Sequence, residues 1–127
     1  MSNLVEAEAN RLLDASLGTA PFTAPTAPVK LALVTANGSA TSAGTEVTGG
    51  GYARQSVTFS AASAGTASNT GLINFTNMPA ATVVGAEIYD SSGTPRRAWF
   101  GSLAASKTTG AGDTLSFAVS ALTVGLS

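Results

Sequence analysis

Hydrophobic residues follow two different periods along this chain of 127 residues. Near the N-terminus they recur at the three- and four-residue spacing of an α-helix. The residues at this spacing are Val5, Ala9, Leu12, Leu13 and Leu17. Asn3 can cap such a helix, Glu6 follows three residues later, and Gly18 can end it. The pattern predicts one helix over residues 3–18, with Glu6 and Glu8 near the positive end of its dipole.

A proline-rich segment follows the predicted helix. Pro21, Pro25 and Pro28 exclude helix from residues 19–28 and favour an extended, semi-rigid connector. Two arrangements of the helix stay open, because its apolar stripe can fold back onto the following domain or dock on a neighbouring subunit. The predicted organisation is a helical arm over residues 1–18, the connector, and a β-sandwich domain over residues 29–127.

From Val29 onward the hydrophobic period changes to two, as in half-buried strands. Seven short strands are predicted, over residues 29–35, 56–59, 72–76, 82–89, 97–103, 114–119 and 122–126. The segments between them are rich in Gly, Ser, Thr, Asn or Pro. The pattern predicts a mainly β fold, an antiparallel β-sandwich or jelly-roll-like domain of about seven short strands preceded by one N-terminal α-helix. The chain has no internal repeat, so a self-contained fibre shaft is not predicted.

The low content of charged residues changes the expected role of this domain. Only 10% of the residues are Asp, Glu, Lys or Arg, against about 25% in typical globular domains. The net charge of -1 argues against binding to nucleic acid or anionic lipid. Low charge suits a subunit that packs against neighbours, and the alternative is a neutral monomer solvated by Ser and Thr hydroxyls. Neither a signal peptide nor a membrane span is predicted, since Glu6 and Glu8 stand where a signal peptide has basic residues and no apolar run approaches 18 residues.

The composition offers little catalytic chemistry. Histidine and cysteine are absent, which removes the usual general base and the commonest metal ligands. Glu87 and Asp90 are close in sequence, but a solvated strand edge at Glu87 and an Asx turn over residues 90–93 account for them. The three glycines at 49–51 are interpreted as a loop with tight backbone geometry, not as a phosphate cradle. No catalytic residue, cofactor or metal is predicted, and a hydrolase using carboxylates alone is the least favoured hypothesis.

Two sets of residues are candidates for protein contacts. Trp99, the only tryptophan, follows Tyr89, Arg96 and Arg97, and these residue types are enriched at interfaces. The alternative is that Trp99 is an ordinary core residue. A stacking platform for single-stranded nucleic acid at Arg96 and Arg97 is disfavoured by the net acidic charge. The apolar stripe of the predicted helix is the second set.

A local motif carries a resemblance to a known family. Residues 49–55 (GGGYARQ), followed by Val57, Thr58 and Phe59, resemble a family of small virion proteins of tailed phages, labelled tail-fibre-like or head-decoration proteins. The resemblance runs from the helix and connector through the strands to the closing residues 107–114, so it covers nearly the whole chain. It implies a structural role in the virion without catalysis.

The length of the chain bears on its expected location within the virion. A short chain that ends directly after its last predicted strand fits a capsid decoration protein better than a fibre with a long shaft. The expected function is a cement or minor capsid protein that binds the major capsid protein and stabilises the head, as a homo-oligomer for which a trimer suits three-fold lattice sites. The alternative is a tail-fibre or baseplate-associated protein that contacts tail proteins or a host-surface glycan, with Trp99 and Tyr89 stacked on sugar. The expected location is the virion, assembled in the host cytoplasm, and neither nucleic acid nor membrane is an expected partner.

Overall fold

The structure, a computed structural model, describes residues 3–126 of the chain. The first two residues of the predicted arm and the last residue of the predicted β-domain lie outside this range. The described residues form one helix, α1 (Glu6–Ser16), and ten strands. The strands are β1 (Asn3–Leu4), β2 (Val29–Ala36), β3 (Thr45–Glu46), β4 (Gln55–Val57), β5 (Thr66–Ser68), β6 (Ile73–Met78), β7 (Ala81–Tyr89), β8 (Arg97–Thr109), β9 (Asp113–Phe117) and β10 (Thr123–Gly125).

The strands form one large sheet and two antiparallel ribbons. The main sheet has the order β1-β8-β7-β2-β3, and β4 also pairs with β2. The ribbons are β6–β9 and β5–β10. Side chains from the main sheet and from both ribbons meet in one hydrophobic core, in which the Phe75 ring stacks on Tyr52 and meets Phe117 edge-on. The prediction of a mainly antiparallel β-sandwich behind an N-terminal helix is confirmed.

Strand β2 is buried on both of its faces. Leu31 and Leu33 point into the core, opposite Ile88 and Ala86 of β7. By the alternation of side chains along a strand, Ala32 and Val34 point to the other face, yet they are also at most 1% exposed. The main sheet therefore needs a cover on both faces. We call the face that carries Ile88 the core face and the face that carries Glu87 the outer face.

Each of the seven predicted strand segments overlaps an observed strand, whereas β1, β3 and β5 were not predicted. These strands have two or three residues each, which is too short for a period to show. The predicted helix start was wrong. Asn3 pairs with Phe100 in the sheet, and Val5 occupies the N-cap position without a side-chain hydrogen bond. The predicted end is confirmed, because Gly18 adopts a φ of 76° directly after the C-cap residue Leu17.

A single buried asparagine holds the C-terminal segment in place. Asn69 is 1% exposed, and its amide nitrogen donates to the carbonyl oxygens of Gly71 and Ala118 at 2.8 and 2.9 Å. Its side-chain oxygen accepts from the Leu122 N–H, while its backbone bonds to Leu122 and Ser120. This side chain thus joins β5 to the ends of β9 and β10, and every polar atom of its amide is used.

Replacing Asn69 by aspartate tests this arrangement with little change in shape. Asn69→Asp removes the donors to two carbonyl oxygens and buries a carboxylate, so we expect a loss of at least about 2 kcal/mol in the free energy of unfolding. Urea denaturation measures it. Asn74→Asp on the exposed face of β6 is the control, and we expect a change under about 0.5 kcal/mol there because Asn74 uses only its side-chain oxygen, towards Ser116. Equal effects of the two substitutions would contradict this role of Asn69.

Candidate functional site

A buried ion pair lies at the centre of the outer face. Glu87 is 1% exposed, and one of its carboxylate oxygens lies 2.7 Å from Arg97 Nη2. The same carboxylate accepts from the Gly44 N–H and the Tyr89 hydroxyl, and Arg97 also donates to the Ser39 carbonyl. The expectation of a solvated strand edge at Glu87 was wrong, because Arg97 and the loop that contains Ser39 and Gly44 cover this carboxylate.

A second buried ion pair attaches α1 to the β-domain. Glu8 is 3% exposed, and Arg96 contacts both of its carboxylate oxygens at 2.7 to 3.0 Å. Arg96 also donates to the Thr23 carbonyl of the connector and lies over the Phe22 ring, with 5.4 Å between the guanidinium carbon and the ring centroid. At the start of the helix, the Val5 N–H donates to the carbonyl of residue 98. The helix therefore packs against its own β-domain, with Val5 and Glu8 buried and Leu12 half-buried.

Asp90 fastens the connector to the turn before β8. Its carboxylate accepts hydrogen bonds from the backbone N–H groups of Thr26, Ser92 and Arg96 and from the Ser92 hydroxyl. The predicted Asx turn at residues 90–93 is thereby confirmed. Burial raises the pKa of Asp90, but the hydrogen bonds outweigh it and hold the pKa well below its ordinary value.

The motif at residues 49–55 closes a gap at the edge of β2. Strands β3 and β4 both pair with β2, but neither reaches the Leu33 N–H. The Tyr52 hydroxyl accepts from this N–H at 2.9 Å and donates to Glu46 at 2.7 Å. Arg54 binds Glu46 with two hydrogen bonds of 2.9 Å and lies 3.8 Å over the Tyr89 ring. The motif is therefore part of the fold. Its Tyr52 and Arg54 connect the edge of β2 to Glu46 and to the Tyr89 ring.

Backbone geometry explains a glycine in this motif. Gly50 has a φ of 55°, and a Cβ atom there would lie 2.8 Å from the Asn77 carbonyl oxygen. The neighbouring Gly51 N–H donates to that same oxygen at 2.7 Å. The interpretation of the three glycines as a loop with tight backbone geometry agrees with this contact.

On the core face, an apolar groove opens beside Trp99. Its volume is about 240 Å³, and it lies between the main sheet and the β5–β10 ribbon. The side chains that form it include Val29, Phe59, Ala62, Trp99, Val124 and Leu126. Trp99 is half-buried and packs against the hydrophobic core while it lines the groove. Trp99 is therefore partly a core residue, and its role in protein contacts stays a prediction.

The nine predicted interface residues fall into different environments. The exposed members are Leu13 and Leu17, at 55% and 76% exposure. Val5 is buried, and the half-buried members are Ala9, Leu12, Tyr89, Arg96, Arg97 and Trp99. The guanidinium groups of Arg96 and Arg97 are occupied within the chain, and Arg54 covers the Tyr89 ring. Leu13 and Leu17 are the most exposed apolar members, and Trp99 lines the groove.

The charged residues of the chain are mostly used inside it. Of seven acidic and six basic residues, eight take part in the ion pairs and the Asp90 turn. Within residues 3–126, four charged side chains make no ion pair or side-chain hydrogen bond. They are Glu6, Asp14, Lys30 and Lys107. The surface is therefore even poorer in free charge than the composition suggests.

Sequence reasoning missed the side chains that carry these long-range contacts. Glu8 was predicted only to favour the helix dipole, and Glu87 was expected in solvent. Asn69 was not singled out at all. Neither glutamate carries a local signal of burial, because Arg96 lies 88 residues from Glu8 in sequence and Gly44 lies 43 residues from Glu87.

Within the described part of the chain, no helix is long and apolar enough to cross a membrane. Residues 3–126 also hold no group of three or more Asp or Glu side chains placed to bind a metal ion.

Comparison with known families identifies the chain's relatives. A family model described as podophage GP4 fiber I protein gp80 matches residues 1–125. The chain belongs to this family. A search of curated proteins finds no significant match. The resemblance to tailed-phage virion proteins of the tail-fibre-like kind is confirmed, and the gp80 fibre family is a family of phage structural proteins. Its description names a fibre and does not mention capsid decoration.

The Asp90 turn predicts how this member of the gp80 fibre family responds to acid. A carboxyl whose pKa is lower in the folded than in the unfolded chain stabilises the fold above the unfolded value and loses this contribution as the pH falls. We expect the thermal midpoint to fall from about pH 4 downward, since the unfolded pKa is about 3.9. Glu46, whose pKa is also lowered in the fold, adds to the same trend.

Asp90→Asn is the variant that isolates this group. We expect it to be less stable than the parent at pH 7 and to lose part of the pH dependence below pH 4, because asparagine does not titrate. Thermal unfolding at pH 2 to 7, followed by circular dichroism, measures both effects. An unchanged slope below pH 4 in Asp90→Asn would show that the turn does not contribute.

The Glu8–Arg96 pair predicts how firmly α1 is attached. Arg96→Gln leaves the buried Glu8 carboxylate with only the more exposed Arg11 as a cation, so we expect a loss of about 3 kcal/mol in stability and faster hydrogen exchange of the α1 amides. Hydrogen-exchange mass spectrometry measures the second effect directly. Arg11→Gln is the matched control, because Arg11 contacts the same carboxylate at 3.0 Å but is 40% exposed. We expect less than about 1 kcal/mol there, and an equal effect would be evidence against the anchoring role of Arg96.

Proposed function

We propose that this protein is a non-enzymatic structural subunit of a virion fibre and that the fibre belongs to the tail. The observation that carries the proposal is the match of the gp80 fibre family model to residues 1–125. The alternative that the sequence favoured, capsid decoration with the major capsid protein as partner, has no counterpart in the description of the family.

The distribution of charge supports an assembled subunit. A soluble monomer normally carries mixed surface charge that opposes association. Here Glu6, Asp14, Lys30, Lys107 and Asp113 are the charged side chains of the described residues that lie outside the ion pairs and the Asp90 turn, and much of the remaining surface consists of Ala, Ser, Thr and Gly. Such a surface suits a chain whose working state is a homo-oligomer packed against other virion proteins.

The surroundings of the aromatic residues favour a building role over glycan binding. Sugar recognition needs polar side chains beside an exposed aromatic ring. The groove at Trp99 is lined almost entirely by apolar groups, and the Tyr89 ring is covered by the Arg54 guanidinium at 3.8 Å. We therefore propose that Trp99 serves protein contacts.

The predicted division of the chain fits this role. We propose that residues 29–127 form the β-sandwich module and that residues 1–18 with the connector 19–28 form an attachment element. The Glu8–Arg96 pair and the Asp90 turn hold this element against the module, so the element presents its outward side chains in a fixed direction.

Electron microscopy of purified virions tests the proposed location. Antibodies raised against the purified chain and visualised with gold should label the tail, because the proposed fibre belongs there. Virions treated with antibodies from the same animals before immunisation are the control. Labelling spread over the head would replace the tail fibre by capsid decoration, and labelling of neither would refute a virion role.

A further inference from the structure

The loop between β2 and β3 contains the one Asn–Gly sequence of the chain, Asn37–Gly38. We infer that this sequence is a site of spontaneous deamidation and that the modification loosens the loop that covers Glu87. The inference goes beyond the proposed function as a fibre subunit, because it concerns a covalent change that this function neither requires nor includes.

The reaction needs only these two residues and water. The Gly38 backbone nitrogen attacks the side-chain carbonyl carbon of Asn37, a C–N bond forms, and the side-chain nitrogen leaves as ammonia with the proton of the Gly38 N–H. Water then opens the resulting succinimide ring at either of its carbonyl carbons. The products are aspartate, or isoaspartate, in which the backbone runs through the side-chain carboxyl carbon. Glycine favours the attack because it has no Cβ atom to crowd the nitrogen.

Both reacting groups are available in the folded chain. Asn37 is exposed, and the Gly38 N–H donates to no acceptor within residues 3–126, so this nitrogen gives up no hydrogen bond when it attacks. One hydrogen bond restrains the Asn37 side chain, from its Nδ2 to the Ser102 hydroxyl at 3.0 Å. The net contribution of a single exposed hydrogen bond is small, so this contact slows the reaction without preventing it.

The other asparagines are poorer substrates for the same reaction. Each of them precedes a residue that carries a side chain, which crowds the attacking nitrogen. Asn69 is also buried, with every polar atom of its amide in use. Asn74 is exposed like Asn37 but precedes Phe75 in β6. Deamidation therefore selects Asn37.

The product of the reaction strains the contacts that bury Glu87. A Cβ atom on Gly38 would lie 2.5 Å from Glu87 Oε2 and 2.6 Å from Arg97 Nη2, so the backbone there has no room to move inward. The same loop donates the Gly44 N–H to Glu87 at 3.0 Å and accepts from Arg97 with the Ser39 carbonyl at 2.7 Å. Isoaspartate adds one carbon atom to the backbone at the start of this loop. The added length shifts the groups that bind the buried ion pair.

The aspartate product acts on the same surface through its charge. The Asn37 side chain lies against the Cα atom of Gly85, which is two residues before Glu87 and on the same face of β7. A carboxylate in this position adds a second negative charge to the outer face beside Glu87. The loop also holds the start of α1, because the Glu6 N–H donates to the Ala40 carbonyl at 2.9 Å. Deamidation therefore weakens the attachment of α1 as well as the loop.

Ageing of the purified chain at mildly alkaline pH tests the site. Peptide mapping by mass spectrometry should show conversion of Asn37 at least about tenfold faster than conversion of Asn74, a difference of about 1.4 kcal/mol in the barrier. Ser102→Ala, at an exposed position, should convert Asn37 faster than the parent does, because it frees the side-chain amide. Conversion of Asn37 no faster than that of Asn74 would refute the inference. An unchanged rate in Ser102→Ala would place the reaction in unfolded molecules and would also overturn it.

Hydrogen-exchange mass spectrometry measures the effect of the modification on the fold. The isoaspartate form, separated from the parent by ion-exchange chromatography, should show faster exchange of the amides of residues 38–44 and of α1. Asn37→Gln is the matched control, because it keeps a side-chain amide but closes the larger imide ring far more slowly. Its exchange should be the same before and after ageing.

Unchanged exchange in the isoaspartate form would contradict the loosening of the loop. Because virion labelling does not depend on this modification, failure here leaves the fibre assignment standing, whereas absence from the virion removes the fibre assignment itself.

Discussion

The burial of Glu87 beneath Arg97 is the interaction on which the outer face depends. This face carries Ala32 and Val34, which are almost fully buried, so something must cover it. The cover is a polar layer of ion pairs instead of a second apolar sheet. A buried carboxylate costs several kcal/mol unless its charge and its lone pairs are matched, so the layer is stable only when complete. Within residues 3–126 every buried side-chain nitrogen or oxygen does have a hydrogen-bond partner.

The same polar contacts hold the N-terminal segment in position. Arg96 and Arg97 are adjacent, and they bind Glu8 of the helix and Glu87 of the sheet. The chain that joins α1 to β2 is fixed at Thr23 by Arg96 and at Thr26 by Asp90. Arg96 and Asp90 thus hold the proline-rich connector and the short helix in a defined position on the β-domain. Such pairs give a defined position more reliably than they give net stability.

The sequence predicts elements that carry a local pattern better than it predicts contacts between distant residues. The alternation in 29–35 and 82–89 predicts β2 and β7, because each strand buries one set of side chains in the core. The end of α1 is predictable as well, since Gly18 can adopt positive φ without strain. The burial of Glu8, Asn69 and Glu87 is not predictable, because their partners come from distant segments. Short strands such as β1 carry no period and form only where a longer strand offers an edge.

The motif at residues 49–55, which carries the family resemblance, stabilises the fold and does not form a binding site. Tyr52 and Arg54 point their polar groups at Glu46 and at the edge of β2, so they are not available to a partner. A chain can therefore keep this motif for its fold while its exposed surface takes different contacts. Specificity for a partner then depends on side chains that the fold does not use. In this chain the exposed large apolar side chains of α1 and its C-cap, Leu13 and Leu17, are among the side chains that the fold leaves outside.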